Sequence, residues 1–62
     1  IVVENAPLGV QAATAAGIFT VAVNTGPLDD NVLLEAGANI LFPSMQALCD
    51  SWDDLLKEVR GA

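Results

Sequence analysis

Histidine is absent from this sequence, and cysteine occurs once, at Cys49. A lone thiol cannot close an internal disulfide, and without histidine or a second cysteine no soft-metal cluster can assemble. Any metal held by this chain must sit on oxygen ligands. Cationic residues are nearly as scarce, since only Lys57 and Arg60 stand against eight carboxylates, a formal net charge of −6. That balance repels nucleic-acid phosphates and anionic lipid headgroups over a Debye length, roughly 8 Å in physiological salt. Neither nucleic acid nor a membrane surface is an expected partner. No uninterrupted apolar run approaches the ~20 residues of a transmembrane helix, and no signal peptide is recognisable. A soluble, cytoplasmic parent protein is expected.

What is present is mostly apolar: 53% of the 62 residues are hydrophobic, but only 5% are aromatic. At this size a chain buries only about 60% of its unfolded surface, so at most one small domain fits. The sequence also opens at Ile1, already inside a strand-like run and without an initiator methionine. The expectation is an incomplete single domain over residues 1–62, the C-terminal portion of a larger core that needs the missing N-terminal part of its own chain.

Three apolar runs, at 1–3, 18–23 and 40–42, alternate with longer segments punctuated by Gly and Pro. They are continuously apolar rather than alternating, as befits parallel strands covered on both faces. The first connection predicts a helix over 7–16, with Pro7 in the first helical position, Gly17 as a left-handed stop, and Ala12, Ala13, Ala15 and Ala16 allowing close approach to the sheet. The second predicts a helix of about two turns, with Asp29 and Asp30 at its start, Val32, Leu33 and Ala36 inward, and Gly37 as its stop. The third predicts a single long helix capped by Ser44, with Met45, Leu48, Cys49, Trp52, Leu55, Leu56 and Val59 recurring at three- and four-residue steps and Gly61 as its stop. The whole reads β-α-β-α-β-α, an α/β fold built on a parallel sheet with flanking helices.

Parallel sheets place their chemistry at the C-terminal ends of the strands, and there the first run ends in Glu4 and Asn5. With Pro7 as first helical residue, Ala6 takes the N-cap, where an Asn would be worth about 1 kcal/mol more. Asn5 is thus spared from capping. One reading leaves Glu4 in solvent at a strand end, with Asn5 helping the turn or capping the helix after all. The other gives both side-chain oxygens to a hard cation such as Mg²⁺, which needs only one or two protein carboxylates beside waters and substrate phosphates.

The stretch VVENAPLGVQAATAAGIFTVAVNTGPL resembles the fourth-motif segment of the haloacid dehalogenase superfamily of phosphatases, most strongly its β-phosphoglucomutase-like branch. Glu4-Asn5-Ala6, Gly9, Ala12-Ala13 and Ala16-Gly17 carry the likeness, and AGANILFPSMQAL extends it over essentially the whole chain. The resemblance implies a Rossmann-like core holding Mg²⁺ at the C-terminal edge of its sheet, with Glu4 as the first acidic ligand. Asn5 departs from the commoner Asp at the second. It still offers an oxygen while removing one negative charge, which would weaken the metal or shift it to a water-mediated contact, or ease the approach of a highly charged anion such as pyrophosphate.

The resemblance also implies what would lie upstream of Ile1: the nucleophilic and general acid/base Asp of the first motif, the hydroxyl residue of the second, the Lys of the third, and the cap domain that selects the substrate. No catalytic residue is identified in this chain, and its substrate-binding residues are unknown. Lys57, on the polar side of the last helix, is no candidate for the third-motif Lys. The implied function is a Mg²⁺-dependent phosphohydrolase acting on a small phosphate ester or inorganic pyrophosphate through an aspartyl-phosphate. The alternatives are a β-phosphoglucomutase and a non-catalytic Rossmann-like binding module.

The remaining polar residues are assigned plainer roles. Asn24 and Thr25 follow the second strand at the same edge and could touch substrate, but turn chemistry before Gly26-Pro27 is favoured. Asp29 and Asp30 could extend a metal site, but a role as helix-dipole partners is favoured, and Asp50, Asp53 and Asp54 are assigned to a solvated face. Cys49 and Trp52 are assigned to the apolar stripe of the last helix. Alone, the chain should be inactive and poorly stable, because its first strand would present an open apolar edge.

Overall fold

The computed structural model describes residues 1–61. Three parallel strands, β1 (Val2–Glu4), β2 (Thr20–Val23) and β3 (Ile40–Phe42), lie side by side in chain order. Helices α1 (Pro7–Ala15) and α2 (Asp30–Glu35) connect them, and α3 (Met45–Asp50) and α4 (Trp52–Gly61) follow the last strand. The expected α/β order is therefore present, with the final helix in two pieces.

Strand alternation sorts the core into two halves. Val21 and Val23 of β2 pack with Leu48 and Leu55, so α3 and α4 cover one face of the sheet. Ala22 points the other way and packs with Val10 and Leu33, which places α1 and α2 on the opposite face. A fully buried Val or Leu contributes roughly 1.5–3 kcal/mol, so these few side chains supply much of the cohesion of the layers. All four residues of β2 are buried, whereas β1 pairs with β2 on one side only and leaves Val3 41% exposed.

The helix boundaries follow their local chemistry. At the start of α1, Ala6 has extended backbone and supplies no side-chain cap, and Pro7 begins the helix as its spacing predicts. Gly17 adopts φ +75°, donating its N–H to the Thr14 carbonyl at 3.0 Å while Ile18 donates to Ala13 at 3.1 Å. The Asp29 carboxylate caps α2 by accepting from the Asn31 N–H at 3.0 Å, so its role is more specific than dipole pairing. Ser44 caps α3 by accepting from the Ala47 N–H at 3.1 Å. β2 begins at Thr20 rather than at residue 18, and Asn39 holds that end: its Oδ1 accepts from the Thr20 N–H at 2.9 Å and its own N–H donates to the Thr20 carbonyl at 2.9 Å.

Several expectations need correction. The long C-terminal helix is interrupted at Ser51, whose φ −103° and ψ 9° fall outside the α-helical basin. Because its N–H still reaches the Ala47 and Leu48 carbonyls at 3.2 Å and its carbonyl accepts from Leu55 at 2.9 Å, Leu48 and Leu55 continue to face the sheet. Gly61 lies within α4 rather than stopping it. Cys49 is exposed, and Trp52 and Met45 are 42% and 52% exposed, so none is a core residue. Among the described residues, the part of the apolar stripe that packs on the sheet is Leu48 and Leu55 with Val59 beside them. On α2, Val32 is exposed while Leu33 is fully buried against Val10 and Ala22. On α1 only Ala13 of the four predicted alanines is buried. No described helix is long and apolar enough to cross a membrane.

Candidate functional site

Each strand of a parallel sheet delivers its last residue to the same edge, and here that edge carries an open cleft of about 410 Å³. Val3, Glu4 and Asn5 at the end of β1, Val23 and Thr25 at the end of β2, and Met45 at the start of α3 line it. The two sequence-predicted ligands thus share one concavity. The chain has further concavities of about 470 Å³ along α4 and about 430 Å³ at the opposite end of the sheet, and neither includes a strand tip from the C-terminal edge.

Glu4 is placed by pairing and by a glycine. Its register opposite Ala22 sends its side chain to the face covered by α1, and there the carboxylate lies against Gly9. A Cβ at Gly9 would collide with Oε2 and Cδ of Glu4, so the first turn of α1 accepts this carboxylate only because that residue has no side chain. The positive end of a helix favours a negative charge beside it. Asn5 follows in the bend between β1 and α1, exposed and outside the cap of the helix.

A carboxylate and a carboxamide oxygen on adjacent residues are the right chemistry for Mg²⁺. No group of three or more His, Cys, Asp or Glu able to hold a metal exists among the described residues. Glu4 and Asn5 would supply two oxygen ligands to such a cation, the rest coming from water, substrate and groups outside this chain.

The neighbouring polar residues divide clearly. Asn24 is absorbed into its own loop, its Nδ2 donating to the Leu28 carbonyl at 2.7 Å and to Asp30 Oδ1 at 2.7 Å. Its turn role is therefore structural, and Asp30 is its partner. Thr25 instead lines the cleft. Asp29 caps α2, and Asp50 accepts from Gln46 Nε2 at 2.9 Å on an exposed helical face. Met45 was missed as a cleft residue, although its place directly after a strand exit was a usable signal; its apolarity assigned it to the helical stripe.

A solved structure of a candidate beta-phosphoglucomutase from Bacteroides vulgatus matches this chain with a TM-score of 0.85 and 65% sequence identity, over 89% of this chain. The match covers 23% of that protein, so the present chain corresponds to less than a quarter of its length. No protein-family profile matches the chain, and no curated protein matches it significantly.

Proposed function

Because this chain belongs to the β-phosphoglucomutase-like branch of the haloacid dehalogenase superfamily, a family of phosphatases and phosphomutases, we propose that it supplies the metal-positioning edge of a Mg²⁺-dependent phosphohydrolase. The proposed substrate is a small phosphate ester or inorganic pyrophosphate: an aspartate of the parent chain would attack its phosphorus, expelling the alcohol or phosphate, and water would then hydrolyse the aspartyl-phosphate to release inorganic phosphate. The observation that carries this reading is the convergence of Glu4 and Asn5 on the cleft at the C-terminal edge of the sheet.

Within that scheme the chain's own residues position and do not react. Glu4 would hold the cation through its carboxylate, kept in place by the absence of a side chain at Gly9. Asn5 would offer its carboxamide oxygen directly or through a water, with one negative charge fewer than an aspartate. When bound, Mg²⁺ would offset the charge that develops on the transferring phosphoryl group. The open side of β1 is where the rest of the parent chain would add its strand and its reacting carboxylates, and without them the isolated chain would be inactive. Cys49, a free and exposed thiol, suits the reducing setting of the cytoplasm.

A second reading, a phosphosugar mutase, is favoured by the B. vulgatus neighbour. Both are tested by measuring phosphate release from pyrophosphate and sugar phosphates by the full-length parent protein, with and without Mg²⁺, in wild type and Glu4→Ala. Mg²⁺-dependent release that Glu4→Ala severely reduces in a folded protein supports the hydrolase. Isomerisation of a sugar phosphate without net release selects the mutase, and wild-type activity in Glu4→Ala overturns the metal role of the site.

A further inference from the structure

Thr25 stands apart from the other threonines of this chain. Thr14 donates its hydroxyl to the Val10 carbonyl at 2.7 Å, and the buried Thr20 donates to the Ile18 carbonyl at 2.8 Å. Both hydroxyls are committed to backbone. Thr25 is exposed, lines the cleft with Glu4 and Asn5, and has no such internal bond among the described residues.

Its position is also fixed from both directions. Asn24, immediately before it, extends the β2–β3 pairing by donating its N–H to the Phe42 carbonyl at 2.9 Å, and its side chain ties the loop to Leu28 and Asp30. Gly26-Pro27 follows, and the proline ring restricts its own backbone and that of the residue before it. A hydroxyl presented from an anchored loop loses little conformational freedom on meeting a ligand.

We propose that Thr25 is a ligand-binding residue of this site, its hydroxyl donating to an oxygen of the phosphate group held beside Glu4 and Asn5. The inference deepens the functional reading above and rests on it for the identity of the ligand. It assigns to the loop after β2 a hydrogen-bond donor, which the side-chain oxygens that Glu4 and Asn5 would turn toward a cation do not supply. The described residues that line the cleft include no cation, so a neutral donor is what this edge has to offer an anion.

The test uses the full-length parent protein with inorganic phosphate as probe, titrated calorimetrically in the presence of Mg²⁺. Wild type is compared with Thr25→Val, which removes the hydroxyl at nearly constant volume, with Thr25→Ser, which keeps it, and with Glu4→Gln. Thermal melts of each variant establish that it is folded. Hydrogen bonds to charged groups are strong enough that Thr25→Val should weaken binding about tenfold, while Thr25→Ser stays within about twofold of wild type. Unchanged affinity in Thr25→Val, with weakened binding in Glu4→Gln, overturns the role of Thr25 and leaves the metal site standing. Unchanged affinity in Glu4→Gln with a tenfold loss in Thr25→Val does the reverse. Absence of phosphate binding in wild type overturns both.

Discussion

Substituting Gly9 by alanine should separate stability from metal binding. Gly9 lies in the first turn of α1, with no positive φ to protect, so helix propensity alone favours alanine by about 0.5–1 kcal/mol. Its added Cβ, however, would fall on the Glu4 carboxylate, with Oε1 only 2.9 Å away and Oε2 and Cδ nearer still. The obstructing atoms are the far end of a flexible side chain rather than backbone, so the carboxylate swings aside and the helix stays. The expected result is a melting temperature that holds or rises by about 2–4 °C, together with a Mg²⁺ requirement for phosphate release raised on the order of tenfold, the effect typical of disturbing a ligand's support. The assay is a Mg²⁺ titration of phosphate release by the parent protein beside a thermal melt in chelator. A wild-type Mg²⁺ requirement would refute the reasoning, since Glu4 would then not hold the metal from the position Gly9 permits. A fall of several degrees with unchanged metal affinity would make the Glu4–Gly9 contact purely architectural.

Other substitutions probe how the helices are held, each read by urea denaturation of the parent protein. Gly37→Ala should destabilise by about 2 kcal/mol or more, because Gly37 sits at φ +115° and a Cβ there would strike the Thr14 side chain. Adding Thr14→Ala should recover part of that loss; strict additivity of the two changes would show that no collision exists. Ser44→Ala removes the cap that accepts from Ala47 at 3.1 Å and should cost about 1 kcal/mol, whereas Ser44→Asp should stay near wild type; equal losses in both would mean that the cap contributes nothing.

The sequence was most legible where chemistry is local. Pro7, Gly17, Asp29, Gly37 and Ser44 fall at or beside helix ends because a missing N–H, a left-handed φ or a capping oxygen acts within a few residues of its own position. The strand tip at Glu4-Asn5 was legible for a related reason, since an apolar run that ends in polar side chains marks the end of a strand in a parallel sheet. Periodicity was less reliable at the flanks of the helices. Met45, Cys49 and Trp52 fit the same apolar spacing as Leu48 and Leu55, yet only the latter two are buried. Spacing reports which residues share a helical side, but the elements packed against that side decide how much of it is covered.

Taken alone, the amino-acid order determined the succession of strands and helices, the parallel character of the sheet, and the oxygen-only chemistry open to a metal, because those follow from hydrophobic runs, turn residues and the absence of histidine. Tertiary structure decided what depends on residues far apart in the chain. It set Glu4 against Gly9, absorbed Asn24 into a loop while leaving Thr25 in the cleft, brought Met45 into the same cleft as the tip of β1, and joined the Thr14 hydroxyl to the Ala36 carbonyl beside Gly37. The physical reason is that side-chain direction in a strand is fixed by register, and register is settled only when the strands pair.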